Sequence, residues 1–308
     1  MDGLILVRKP KGCTSHDVVD QIRALFCIKK VGHFGTLDPM ATGLMLIGLG
    51  QATRLFPFLS KADKEYSGRI RLGFSTETYD AEGKPISSES NDYPEESFVS
   101  ESLTQFEGKI LQIAPPYSAK KHKGRPLYTL ARETKDIPQK KTNVVIHYFR
   151  LVEYTPPFIG FKVKCSSGTY IRSLAHELGQ VFGCGAHLCS LDRTSIGKFS
   201  VSESRSLEEL KHLLAEGKTV QFLIPMAELI PEFPKIILNE KESSQARNGN
   251  DILVDSIQQM NQSDDTVPYP EIFRLFDPED NLLAYAKINP NGRSIHPFLV
   301  LDDVKRDF

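Results

Sequence analysis

The chain has 308 residues, 40% of them apolar and 25% charged, an ordinary globular composition that excludes intrinsic disorder and a coiled coil. No apolar run exceeds five residues, far short of the ~20 residues a membrane helix needs. The formal net charge of −1 hides a segregation: residues 1–72 carry +5, 73–116 carry −7, 117–150 carry +7, 151–200 carry +2 and 201–308 carry −8, so a polyanion would meet basic blocks separated by acidic ones.

The length suggests about two domains. Residues 4–7 read as a short strand ended by the Lys9-Pro10-Lys11-Gly12 turn. Thr14 or Ser15 caps a helix with Val18, Ile22, Leu25 and Phe26 on one stripe. Residues 31–43, with Gly32, Gly35, Gly43 and Pro39, read as a loop, 44–49 as a buried strand and 51–59 as a short helix. Tyr66, Ile70, Leu72 and Phe74 share one parity of a half-buried strand. Residues 75–96 form an acidic surface excursion, and Val99, Leu103 and Phe106 mark a helix. Residues 114–141 read as a long basic loop with a helical turn or two near 128–132. Phe161, Val163 and Cys165 alternate as a strand, and Ser166-Ser167-Gly168-Thr169 turns into a helix with Ile171, Leu174, Ala175, Leu178, Val181 and Phe182 on its core side. Residues 206–216 form another helix, ended by Gly217. Beyond Pro231–Pro234 short strands at 236–238, 273–276, 283–288 and 298–301, with turns between them, suggest a small β-barrel or sandwich.

Four stretches could carry chemistry. Val31–Gly43 combines glycines with His33 and Asp38, and glycine lets a backbone approach a ligand closely. The blander reading makes Asp38-Pro39 a helix start and His33 a surface imidazole. Neither phosphate-cradle pattern, G-x-x-x-x-G-K-[ST] nor G-x-G-x-x-G, is present. Tyr66, at the head of its strand, is either a core ring with a wet hydroxyl or a platform for a planar ligand. Arg172 sits near a helix start, where the dipole disfavours cations, and therefore calls for an anion. Tyr117–Tyr128 interleaves Lys120, Lys121, Lys123 and Arg125 with aromatic residues, which fits RNA backbone contact plus stacking better than a solvated face. Five cysteines form no C-x-x-C pair and eight histidines show no ligand spacing, so neither a metal nor a disulfide scaffold is expected, and the compartment is read as reducing and cytoplasmic.

Six blocks, taken in order, resemble the bacterial TruB family of tRNA pseudouridine synthases. They are Arg8-Lys9-Pro10-Lys11-Gly12 with Thr14-Ser15, Gly32-His33-Phe34-Gly35-Thr36-Leu37-Asp38-Pro39 with Ala41-Thr42-Gly43, Lys64-Glu65-Tyr66, Pro115-Pro116-Tyr117-Ser118-Ala119 with Lys121 and Gly124, Gly168-Thr169-Tyr170-Ile171-Arg172, and Cys184-Gly185-Ala186-His187-Leu188. The segment from Ala246-Arg247-Asn248-Gly249 onward more loosely resembles a PUA-like RNA-binding domain.

The resemblance implies an α+β pseudouridine synthase fold, a mixed and largely antiparallel sheet flanked by helices, with a small β-barrel domain behind it. Residues 1–231 would be catalytic, with an acidic insert at 75–96 and a basic RNA-gripping insert at 114–141, and 232–308 PUA-like. It further implies isomerisation of uridine-55 in the T loop of tRNA, with Asp38 the catalytic carboxylate. A carboxylate is ionised at neutral pH and can attack the ribose anomeric carbon or remove a sugar proton. His33 would hold the T loop open, Tyr66 stack on the extruded base, Tyr170 line the pocket, Arg172 pair with Asp38 and Leu191 touch the substrate. Lys120, Lys121, Lys123 and Arg125 would meet the RNA backbone. Lys9-Pro10 would keep the sheet and catalytic loop in register. No cofactor, metal, membrane or obligate protein partner is implied; the partner is tRNA, by its T arm and, through the C-terminal domain, its acceptor stem. The chain departs from the family at Asp192, where arginine is common, and in the acidity of its C-terminal part. A non-catalytic RNA chaperone on the same fold, or a guide-dependent synthase, are the alternatives.

Overall fold

The computed structural model describes residues 1–115, 141–253, 272–290 and 294–301, together with two short strands at 121–122 and 125–126. The first part of the chain builds one ten-stranded sheet. Its strands are β1 (Gly3–Lys9), β2 (Val31–His33), β3 (Thr42–Leu49), β4 (Lys64–Leu72), β5 (Gly108–Ile113), β8 (Lys141–Thr155), β9 (Phe158–Cys165), β10 (Ala186–Ile196), β11 (Phe199–Ser200) and β12 (Leu223–Pro225), while β6 (Lys121–His122) and β7 (Arg125–Pro126) pair with each other. The order is β12-β1-β3-β10-β4-β9-β8-β5, with β2 on β3 and β11 on β10. Every pairing in it is antiparallel except β3 with β10, which run parallel at Thr42–Asp192 and Gly43–Arg193. The fold is therefore α+β with a mixed sheet, as the family resemblance implies.

The helices among the described residues are α1 (Ser15–Phe26), α2 (Phe56–Leu59), α3 (Glu96–Gln105), α4 (Ile171–Val181), α5 (Leu207–Ala215) and α6 (Glu240–Arg247). Thr14 caps α1 in a reciprocal box with Asp17, and Gly217 follows the end of α5 at φ +70°, a left-handed position that suits glycine. None of the described helices is long and apolar enough to cross a membrane.

The unbroken apolar runs in β1 and β3 have a direct cause. Ile5, Val7, Met45 and Ile47 face the main core, whereas Leu4, Leu6, Leu44 and Leu46 face a second core completed by Tyr285 and Leu299 from the C-terminal part. Strands buried on both sides read as continuous rather than alternating. Among the described residues the C-terminal sheet, β13 (Lys235–Ile237), β14 (Ile252–Leu253), β15 (Ile272–Phe276), β16 (Leu282–Ile288) and β17 (Ser294–Val300), follows the order β13-β15-β16-β17-β14 and curls as a half-barrel. It is fastened to the connecting segment that follows β12: Tyr285 Oη donates to Met226 O at 2.7 Å, and Arg274 donates to the carbonyls of Ala227, Pro231 and Phe233.

Several sequence expectations change. Residues 31–43 are not all loop, since β2 opens the segment, and Asp38-Pro39 starts no helix; it opens a turn in which Ala41 N donates to Asp38 O at 3.1 Å. Phe74 falls beyond β4, and Val181 is 48% exposed at the end of α4 rather than in the core. Strands β5, β8 and β10 escape a period-two reading. β5 is an edge strand that exposes Leu111 and Ile113, and β10 carries two bulges that break its alternation. The acidic stretch is no mere surface excursion, because Ser75, Thr76 and Asp80 are buried. The helical turns expected near 128–132 lie outside the described residues.

Candidate active site

Asp38 sits in the loop between β2 and β3, and buried polar side chains grip that loop from three sides. Ser15, at the start of α1, accepts from Leu37 N at 2.8 Å and donates to Leu37 O at 3.0 Å. Lys9, fully buried, donates to the carbonyls of Pro10, Pro39 and Ala41. Arg193, 1% exposed, donates to Leu44 O at 2.7 Å, Gly35 O at 3.0 Å and Thr36 O at 3.2 Å. Two desolvated cations facing carbonyls rather than carboxylates leave the loop no freedom to shift without stranding a charge. Gly43 makes this possible, for a Cβ there would lie 2.4 Å from Arg193 O.

Arg172, on the first turn of α4, closes over the loop. Its Nη2 donates to Asp38 Oδ1 at 3.1 Å and its Nε lies 2.9 Å from Asp38 Oδ2, a fork that fixes the carboxylate plane. The guanidinium is 6% exposed and the Asp38 side chain 34%, so one edge of the carboxylate remains open. The anion that a cation at a helix start requires is thus present, and there is a second one. Arg172 Nη1 lies 3.4 Å from Asp80 Oδ2 and donates to Thr78 O at 3.1 Å. Asp80, 5% exposed, is itself held by Thr78 Oγ1 at 2.6 Å and Glu82 N at 3.0 Å. The three side chains form a carboxylate–guanidinium–carboxylate row with net charge −1.

His33, Tyr66, Tyr170 and Leu191 meet in one cavity of about 370 Å³ that opens beside Asp38. Tyr66 projects from β4, 8% exposed, near the Arg193 guanidinium; burial pushes its phenol up, so it stays neutral. Leu191, on the bulged β10, is 7% exposed and supplies apolar wall. His33 is held below the usual imidazole range by burial and then by the nearby Arg193 charge; its Nδ1 accepts from Gly35 N at 3.4 Å, so the proton of the neutral ring belongs on Nε2. Tyr170 is the N-cap of α4 and makes no side-chain cap. Its backbone is clamped instead by Gln112, whose Oε1 accepts from Tyr170 N at 2.7 Å and whose Nε2 donates to Tyr170 O at 3.0 Å.

Asp192 accepts from Thr42 Oγ1 at 2.5 Å, across the parallel β3–β10 pairing. Lys121 and Arg125 fall on the β6–β7 pair, and Lys120 and Lys123 lie outside the described residues. Sequence reasoning gave no role to Asp80, Gln112, Lys64, Arg193 or the Ser15 side chain beyond capping. Lys64 lines the cavity, donates to Ser60 O and Ala62 O at 2.6 Å each, and is brought down to about 8 by burial. The Lys64-Glu65-Tyr66 block marked one of them, and Arg193 follows directly on Leu191 and Asp192; Asp80 and Gln112 had no local signal. Among the described residues no three His, Cys, Asp or Glu side chains gather as a metal site requires.

Comparison with known proteins bears on this arrangement. Residues 23–171 match the model of the TruB family pseudouridylate synthase N-terminal domain, and 172–230 that of the tRNA pseudouridylate synthase B C-terminal domain. The chain is 37% identical to tRNA pseudouridine synthase B of Dehalococcoides mccartyi strain CBDB1 over 297 residues, 96% of this chain and 95% of that one. It is 46% identical to the protein of the same name from Francisella tularensis subsp. tularensis strain WY96-3418 over 220 residues, 71% and 72% of the two chains. Among solved structures it resembles an H/ACA RNP bound to a substrate RNA containing 2'-deoxyuridine, with a TM-score of 0.70 at 23% identity over 97% of this chain and 85% of that one. That last likeness speaks for the fold alone.

Proposed function

Because the chain belongs to the TruB family and is a tRNA pseudouridine synthase, an isomerase, we propose that its target is a uridine in the T loop and that Asp38 performs the chemistry. The observation that carries this reading is the fork between Arg172 and Asp38 at the wall of an open cavity. A mere RNA binder gains nothing from a carboxylate aimed at a polyanion, and an arginine that holds its plane while leaving an edge free suits attack on a substrate.

The uridine leaves its stack and enters the cavity, at a cost of a few kcal/mol. Tyr66 stacks on the base, Leu191 and Ile171 exclude water beside it, and Tyr170 closes one side. Asp38 then acts on the ribose, either at the anomeric carbon or on the proton of the neighbouring carbon, and the N1–C1′ bond breaks. The uracil turns within the pocket and rejoins C1′ through C5, as the Asp38–C1′ bond breaks in the first route or the sugar proton returns to its carbon in the second. C5 loses its proton and N1 gains one, so Asp38 is regenerated and no atom is gained or lost. Asp80 shares the Arg172 charge, so that Asp38 keeps the reactivity of an anion while staying in place. Neutral His33, at the cavity edge, fills space in the opened loop without adding charge.

Asp38→Asn should abolish pseudouridine formation on a T-arm stem-loop while leaving RNA affinity within a few fold. Full activity in that variant would refute the assigned chemistry.

A further inference from the structure

Phe56 is an aromatic side chain that the uridine reaction leaves without a task. It opens α2 and lines the same cavity as Asp38 and Tyr66, yet it is 51% exposed. Single exposed apolar side chains are ordinary on protein surfaces; this one stands apart because of where and how firmly it is held. Its ring leans on the buried Phe34, with centroids 6.2 Å apart and planes 30° from parallel. Its turn is tied down by three hydrogen bonds. Ser60 Oγ donates to Phe56 O at 2.5 Å, Lys64 Nζ to Ser60 O at 2.6 Å, and Ser167 Oγ to Ser60 O at 2.9 Å. Phe56 is thereby fixed to the strand that carries Tyr66 and to the turn that leads into Tyr170.

We propose that Phe56 is a stacking platform for a second nucleobase, the one adjacent to the extruded uridine in the RNA strand. The inference rests on the reading of the cavity as the uridine site. Extruding one nucleotide strips its neighbours of a stacking face, and backbone connectivity keeps them at the cavity mouth. An aromatic ring backed on one side and open on the other offers a π-face to any base, without hydrogen-bond readout. Tyr66 and Phe56 would then grip successive nucleotides, one at the reacting depth and one at the rim.

The test uses the full chain and T-arm stem-loops that are intact or carry an abasic residue immediately 5′ or 3′ of the target. Phe56→Ala should raise KM on the intact RNA by about 5- to 150-fold, the range spanned by loss of one base–aromatic stack, and the effect should fall on KM rather than on the single-turnover rate at saturation. Phe56→Trp should restore KM, and Phe56→Leu, which keeps bulk but not the π-face, should not. One of the two abasic RNAs should raise the wild-type KM by a similar factor and erase the difference between wild type and Phe56→Ala. Should Phe56→Ala fail to fold, Phe56→Leu and the wild-type response to the abasic RNAs decide the matter. A Phe56→Ala KM at the wild-type value, or a KM rise that persists undiminished on both abasic RNAs, overturns the platform alone. Absence of pseudouridine from the wild-type reaction would overturn the target reading and the platform with it.

Discussion

Asp80→Asn isolates the part of the site that lies behind Arg172, outside the lining of the proposed uridine cavity. Asp80 and Arg172 are 5% and 6% exposed with Oδ2 and Nη1 3.4 Å apart; at an effective dielectric of ~20, opposite charges at that separation attract by about 5 kcal/mol. Desolvation of both ions cancels much of this, but removing one member of a buried pair still costs about 3–5 kcal/mol. Asparagine keeps an acceptor for Thr78 Oγ1 and Glu82 N, so the stability loss should fall near ~3 kcal/mol. The catalytic effect should be separate. With Asp80 neutral, the whole Arg172 charge falls on Asp38, the row becomes net neutral, and Asp38 loses reactivity toward the sugar. A drop of at least about 100-fold in the single-turnover rate is expected, which corresponds to ~2.7 kcal/mol of transition-state stabilisation. Tritium release from RNA labelled at uracil C5 measures the rate, urea unfolding measures stability, and filter binding should show RNA affinity within a few fold of wild type. A folded variant that turns over within about threefold of wild type would refute the charge-sharing role.

Ser15→Ala strips Leu37 N of its buried acceptor and should cost about 1–3 kcal/mol in urea unfolding, with a fall in kcat as the Asp38 loop loosens; an unchanged kcat would contradict the positioning role. Gln112→Leu leaves Tyr170 N–H without its acceptor and should lower kcat more than Gln112→Glu, which keeps that acceptor, so equal turnover in the two variants would sink the clamp. Lys64 has its proton affinity depressed in the fold to about 8 from 10.5. The unfolded chain therefore binds that proton more tightly across this window, and wild-type stability should gain from Lys64 as pH rises from about 8 to 10.5. Lys64→Met should lack that gain, and parallel stability–pH curves for the two proteins would count against it.

Much of the site was legible in local sequence. The glycine-rich block with His33 and Asp38, the Lys64-Glu65-Tyr66 block and the turn into Tyr170-Ile171-Arg172 each concentrate unusual residue types over a few positions, and all of them line one cavity. The demand for an anion near Arg172 followed from helix electrostatics alone. Asp80 was hidden because an acidic, polar stretch reads as surface unless something buries it, and Gln112 because a glutamine on a strand has no signature. β10 was hidden by its bulges, and the exposed apolar residues of β5 gave the wrong parity.

Together with the family resemblance, then, the order of residues supplied the candidate cast, a carboxylate, rings and a cation, and the periodic helices and strands that would carry them. What it left open was who faces whom. Asp38 and Arg172 are 134 positions apart, Gln112 and Tyr170 58, and Thr78 and Arg172 94. Contacts at such separations are set by strand order and register, which depend on how buried faces pack across the whole sheet. Only the tertiary structure could decide that an acidic turn would fold inward to share the charge of the arginine that holds Asp38.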